Sequence, residues 1–456
     1  MHFIVKIVWI KKGRLFLFND TIAAIATALP GAVSIIRISG NDAFAVLNKI
    51  FDKDLSKEKG YTIHYGTIYD DKEPVDEVLV NIFKAPRSYT GEDVIEINCH
   101  GGTYTTKKIL NLCLGNGARL ARRGEFTERA FLNGKMDLSE AESVNDLINA
   151  SDKMNARSAV HSLKGSVKKI LEPLVEDLTQ MISNIEVNID YPEYDDVHVL
   201  TEEEILPKAK KWIQEISLII QKAEEATLIR SGIDTVIVGR PNVGKSSLLN
   251  ALLEEDKAIV TDIAGTTRDL VEGSVKVGNV TLNLIDTAGI HDSDDKIEKI
   301  GIEKSKEALN KAQLVLLVLD STEELTKEDQ ELLEQTKDRD RIIIYNKNDE
   351  KKLDTGISIS AKNHEIDELI HAIEEKYEKE IQSAESDTLN NERQIGLARN
   401  AKNAMQNAIQ ALEDGAELDL VTIDLQECYY ALKEITGETS REDLLDEIFS
   451  RFCLGK

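Results

Sequence analysis

The stretch "DTVIVGRPNVGKSSLLNALL", residues 234 to 253, decides the fold. It reads as a buried strand, a tight loop and a helix, and the loop has the spacing GxxxxGK[ST]. Gly239 and Gly244 let the backbone wrap so that its N–H groups and the helix N-terminus face phosphate. Lys245 is expected to reach the β- and γ-phosphates, and the Ser246 hydroxyl to bind Mg2+. Asn242, Val243, Gly244, Lys245, Ser246 and Ser247 are therefore the expected phosphate contacts. A chance Gly-rich turn is the weaker reading, because a strand precedes the loop and a helix follows it.

Working outward, "NKND" at 346–349 follows the strand-like run "RIIIY". Asp349 there accepts two hydrogen bonds from guanine, at N1–H and the exocyclic amine. Adenine lacks that donor pair and would leave the carboxylate unsatisfied. Asn346 and Lys347 are expected to brace the loop and cover the base. "SAK" (Ser360, Ala361, Lys362) follows another short strand and fits a loop at the guanine carbonyl. Between these lie "TDIAGTTRD" (261–269) and "DTAG" (286–289). The first supplies Thr261, Asp262, Ile263, Ala264, Gly265, Thr266 and Thr267, the second Asp286, Thr287, Ala288 and Gly289. Thr267 is expected on the same Mg2+, Asp286 at its shell, and the Gly289 N–H on the γ-phosphate. A Ras-like protein places a water-orienting glutamine next, but Ile290 stands there, so another group must act on the water.

Three textures surround this block. Residues 20–135 alternate β-like runs such as "AVSIIRIS" and "DEVLVNIF" with polar turns, which predicts an α/β domain. From Leu163 through Val167, Ile170, Leu174, Leu178 and Met181 to Ile185, apolar residues recur at three- and four-residue steps, predicting one long amphipathic helix. Trp212, Ile213, Ile216, Ile219 and Ile220 predict a second. From 231 to 380, apolar runs separated by helical segments predict a doubly wound, mainly parallel sheet. Helix returns at 381–456, so a helical domain (136–230 with 381–456) is expected to carry the nucleotide domain as an insert.

The 456 residues exceed one core, and no apolar run approaches a membrane span. A net charge of −26 disfavours a chain-wide nucleic-acid surface. Cys99, Cys113, Cys428 and Cys453 form no CxxC, which suits a reducing compartment and offers no zinc framework. Residues 1–19 read as a leader of uncertain status; their basic residues follow the apolar stretch, unlike a secretory signal.

The P-loop, "TDIAGTTRD", the helical flanks, and the stretches "SYTGEDVIEINCHGG" (88–102), "GEFTERAFLNGKMDLSEAE" (124–142) and "EITGETSREDLLDEIFSRFCLGK" (434–456) together closely resemble the tRNA modification GTPase MnmE (TrmE) family, from Asp20 to Lys456. The resemblance implies a multidomain α/β architecture: an N-terminal α/β folate-binding and dimerisation domain, a discontinuous α-helical domain, and an inserted Ras-like P-loop GTPase domain. It implies a cytoplasmic homodimer whose GTPase domains meet around K+, held by Asn242, Thr261, Ile263 (through its carbonyl) and Thr266. It places the catalytic glutamate on Glu298, beside Lys245 and Thr267. It assigns Arg37, Glu96, Lys135 and Lys456 to a folate, 5-formyltetrahydrofolate or methylenetetrahydrofolate. The implied reaction is C5 modification of the tRNA wobble uridine to aminomethyl or carboxymethylaminomethyl groups, with the FAD-dependent partner MnmG (GidA).

Two departures from the family pattern fall on no matched ligand: Pro30 in "ATALPGAVSIIR", and Arg123 where the family has proline. A ribosome- or RNA-assembly GTPase switch is the alternative function, and a membrane-anchored GTPase a third. As a prenylation box the end "CLGK" is poor, because Gly455 is not aliphatic and Lys456 is not a usual final residue. Cys453 is a candidate thiol whose role stays open, on a tail expected to dock rather than fray.

Overall fold

The structure is a computed structural model and describes residues 10–11, 14–15, 20–150, 153–190, 204–255, 271–278, 280–285, 309–351, 356–439 and 442–456. The chain forms two compact units. One comprises Met1–Ser151, Ala159–Asn184 and Thr422–Lys456, the other Asp152–Ser158 and Ile185–Val421.

In the first unit, a six-stranded sheet runs in the order Thr62–Asp70, Glu73–Phe83, Val94–His100, Val33–Ser39, Ile22–Ile25, Arg119–Leu120. Its neighbours are antiparallel except the last pair. The alternation of "VSIIRIS" puts Ile36 and Ile38 into a core with Val80, Ile82, Ile95 and Ile97 and turns Arg37 to the opposite face. On that opposite face Arg37 stands directly across from Glu96. A smaller apolar cluster joins Leu138 and Ala141 to Leu445, Phe449 and Phe452, so the last helix, Glu442–Ser450, packs against the start of the helix Leu138–Asn149.

The second unit contains the other sheet, ordered Val271–Val277, Val280–Ile285, Ile233–Val238, Leu314–Asp320, Arg341–Asn346, Ile357–Ile359. Only its first pair is antiparallel. The strand Leu314–Asp320 is buried along its whole length, which is why it reads as an unbroken apolar run. The helices Leu206–Ser231 and Glu392–Glu413 belong to this unit, and Arg399 pairs with Glu224 between them.

The stripe forms one long helix from Val167 to Ile185, as expected, but Leu163 lies outside it. The stripe breaks at Gly165, whose φ of 78° no helix accommodates, into Lys153–Leu163 and Ser166–Asp190. Apolar spacing continued across the break and hid it. Among the described residues no helix is long and apolar enough to cross a membrane.

Candidate functional site

The phosphate loop is shaped by steric necessity. A Cβ on Gly239 would stand 2.5 Å from the Val318 carbonyl oxygen of the adjacent strand. At Gly244, with φ 95°, it would meet Asn346 Nδ2 at 2.2 Å. Asn242 lies in the left-handed region at φ 64°, which Asn tolerates better than most residues. The loop so formed encloses Lys245, whose Nζ donates to the carbonyls of Gly239 (3.0 Å) and Arg240 (2.9 Å). Ser246 and Ser247 open the helix Lys245–Glu255, where amide groups and the helix dipole favour an anion.

Asn346 ties this loop to the base-recognition region. Its Nδ2 donates to the Val243 carbonyl (2.9 Å) and its Oδ1 accepts from the Ala361 amide (3.0 Å). One buried side chain thus joins phosphate loop, strand end and the 360–362 turn. Lys347 sits at φ 69°, with Nζ 2.5 Å from Asp320 Oδ2. Burial pushes the Asp320 carboxyl up, but the bonds from Lys347 and Thr322 outweigh it and hold the group below the usual carboxylate range. Asp349 accepts from the Ser360 hydroxyl at 2.8 Å, and Lys362 lies in the adjoining turn Ala361–Asn363. Asn242, Val243, Gly244, Lys245, Ser246, Ser247, Asn346, Lys347, Asp349, Ser360, Ala361 and Lys362 therefore all lie just beyond, or at, the C-terminal ends of parallel strands, in loops, a strand end and the first turn of a helix.

Thr261, Asp262, Ile263, Ala264, Gly265, Thr266, Thr267, Asp286, Thr287, Ala288, Gly289 and Glu298 lie outside the described residues. Among the described residues no group of three His, Cys, Asp or Glu is arranged to hold a metal. A P-loop Mg2+ needs none, since it is held by hydroxyls and phosphate oxygens.

The second cluster lies in the other unit. Arg37 donates from Nε to Glu96 Oε1 (3.0 Å) and from Nη1 to the Gly455 carbonyl (3.3 Å). Its guanidinium is flanked by the rings of Tyr89 and Phe126 at 5.5 and 5.6 Å. The tail is held along its backbone: Gly124 N donates to Cys453 O, Arg123 bridges Leu454, and Phe126 N donates to Lys456 O. Gly455 fits only as glycine, with φ 91° and a Cβ position 2.5 Å from the Ile25 carbonyl oxygen. Burial lowers the Lys456 pKa, and the nearby Arg37 charge lowers it further, against a smaller upward pull from Glu96 and Cys453. Cys453 itself is exposed.

Arg37, Glu96 and Lys456 are thus brought together. Lys135 is not joined to them by any described bond; its Nζ donates to the Pro86 carbonyl. The Arg123 departure, which matches no ligand, nonetheless makes a backbone bridge to the tail. In the same unit, Arg129 is fully buried between Asp20, Glu92 and Glu125, a network sequence reading missed because each member looks like surface charge.

A family model described as the MnmE helical domain matches residues 138–453, and one described as the GTP-binding protein TrmE N-terminus matches 21–135. The tRNA modification GTPase MnmE of Lactococcus lactis subsp. lactis is 46% identical over 451 residues, covering 96% of this chain and 98% of that protein. The chain belongs to the MnmE family of tRNA modification GTPases. The MnmE of Bacillus cytotoxicus is also 46% identical, over 457 residues, covering 96% of this chain and 99% of that one. Among solved structures, the G domain of the T. maritima FeoB iron transporter is 29% identical, covering 33% of this chain and 97% of that one, with a TM-score of 0.23. As an MnmE-family member this protein is a GTP hydrolase.

Proposed function

We propose that this GTPase is activated by K+ and acts with MnmG in C5 modification of the tRNA wobble uridine, with a folate supplying the one-carbon unit. The observation that carries the reading is the docked tail. It gathers two cations, Arg37 and Lys456, around one carboxylate, Glu96, in a half-buried corner. Such an excess of positive charge suits the carboxylates of a folate, and the partly buried Tyr89 beside Arg37 offers it flat apolar surface. Arg37, Glu96 and Lys456 would hold that ligand, with Lys135 as a fourth contact and Cys453 as the nearby thiol.

In the GTPase domain, Lys245 and the loop amides hold the phosphates and Asp349 reads guanine. The hydroxyls of Ser246 and Thr267 would hold Mg2+, and Glu298 orients the attacking water. Asn242, Thr261, Ile263 and Thr266 offer only neutral oxygens, a donor set that fits K+. Bound there, K+ would supply the positive charge that an arginine finger supplies elsewhere. The homodimer is supported by the edge strand Thr62–Asp70, where Ile63 and Tyr65 are exposed and Leu79, across from Tyr65, extends the apolar face. MnmG would supply much of the basic surface that a chain of net charge −26 lacks.

Two measurements test the reading. GTP turnover in K+ is expected to exceed that in Na+ at equal ionic strength; equal rates would remove K+ from the account. Titration with 5-formyltetrahydrofolate is expected to show binding that Lys456→Ala weakens at least about tenfold, the worth of one charge-assisted contact. Undiminished affinity would remove the tail from the site.

A further inference from the structure

Asp320 has no part in the phosphate, base or metal contacts above, yet it stands where the two nucleotide loops meet. It ends the fully buried strand Leu314–Asp320, and its carboxylate is almost wholly enclosed. Oδ1 accepts from the Thr322 amide (2.9 Å) and the Thr322 hydroxyl (2.6 Å), which fixes the plane of the group. Oδ2 then points at Lys347 Nζ, 2.5 Å away, and lies 4.0 Å from Arg240 Nη2. Arg240 belongs to the phosphate loop and Lys347 to the base loop, so one carboxylate faces a cation from each.

The surroundings make the arrangement rigid. Arg240 is also held by Glu323 (2.5 Å) and by Asp329 (3.3 Å). Asp329 is in turn fixed by the Thr326 amide and hydroxyl in the capping box that opens the helix Lys327–Gln335. Lys347, by contrast, has a left-handed backbone and a long side chain, and Asp320 is the carboxylate that anchors its ammonium. An anchored ammonium holds the aliphatic stem in one place; on the proposed reading of the base loop, on which this inference rests, that stem covers the guanine ring, and a released ammonium lets it rotate and lose that cover.

We propose that Asp320 is a positioning residue for guanine-nucleotide binding, acting through Lys347. It contributes affinity by holding the side chain that covers the base, and it contributes nothing to discrimination among purines, which belongs to Asp349. The interaction is the same in ground and transition states, so its loss raises KM and leaves kcat in place.

The test is Asp320→Asn in the full chain, assayed with GTP and with ITP, which lacks the exocyclic amine. The expected result is a KM raised about tenfold for both nucleotides by the same factor, with kcat within about twofold of wild type. An unchanged KM, a fall confined to kcat, or a shifted GTP-to-ITP ratio would each overturn the proposal. A double-mutant cycle with Lys347→Ala supplies the second arm, read as binding of a fluorescent GDP analogue. If Asp320 acts through Lys347, Asp320→Asn costs no further affinity once the lysine is removed; additive losses contradict it. Should Asp320→Asn fail to fold by circular dichroism, Thr322→Val keeps the carboxylate but removes one of its two orienting bonds. That variant is expected to raise KM two- to threefold at an unchanged GTP-to-ITP ratio, and an unaltered KM would again overturn the assignment.

Discussion

The phosphate loop and the tail corner are both cationic, but they are made in different ways. The loop is nearly all backbone: nine consecutive residues with two sterically required glycines run into a helix N-terminus, whose free N–H groups favour an anion. The corner is all assembly, with Arg37 and Glu96 from adjacent strands and Lys456 delivered by a tail that meets Arg37 across 418 residues of chain. A backbone site carries its geometry with it, so damage there removes function and spares the fold. An assembled site depends on whatever holds its parts, so damage at a distance abolishes it.

Lys245→Ala should break the loop most severely. Turnover of GTP is expected to fall roughly 10³-fold, as when one transition-state donor is removed, with the melting temperature nearly unchanged. A large loss of stability instead would show that the loop is not self-sufficient.

The next largest effect lies in the unit that holds the corner, on the helix Glu125–Leu132 whose Phe126 amide holds the tail. Glu125→Gln leaves Arg129 short of a partner inside the first unit and should cost about 3 kcal/mol at neutral pH. Burial raises the Glu125 carboxyl, but Arg119 and the Arg122 amide bring it below its ordinary value of 4.5. A lowered folded value means its stabilisation is complete above 4.5 and is lost as pH falls through the folded value. The gap between wild type and variant in urea titrations should therefore shrink on acidification; a constant gap would refute the ion-pair account.

Gly455→Ala probes assembly more gently. Its Cβ cannot fit against Ile25, so the tail should lift, with a local cost of about 1–3 kcal/mol. Folate binding and tRNA modification should fall while GTP turnover stays within about twofold. Equal loss of both would mean that the two regions are not separable as drawn.

The smallest effect concerns Lys456. Burial and Arg37 depress its pKa, so the unfolded chain binds more protons and stability rises with pH as the ordinary value of 10.5 is approached. Lys456→Met should flatten that slope on the approach to the ordinary value of 10.5, and an unaltered slope would place the lysine in water.

The same contrast explains what sequence reading saw. The loop was legible because its chemistry is local: strand, glycines, lysine and serine occur in one run, and apolar stretches marked the strands of the sheet around it. The Arg37–Glu96 pair depends on antiparallel register, which no single stretch encodes, and only the family resemblance pointed to it. Arg129 and Asp320 were missed because a buried charge and an exposed one are spelled alike, and neighbours from other segments decide which it is. The Gly165 break was hidden because a single glycine within an intact apolar stripe is an ambiguous signal.

The account rests on coupling this GTPase to tRNA modification through the docked tail. Mass spectrometry of wobble nucleosides from a strain lacking the protein, complemented with wild type or Gly455→Ala, tests that directly. The account predicts that C5-modified uridine is lost on deletion, restored by wild type, and restored poorly by Gly455→Ala. Unchanged modification in the deletion strain, or full restoration by the variant, would contradict it.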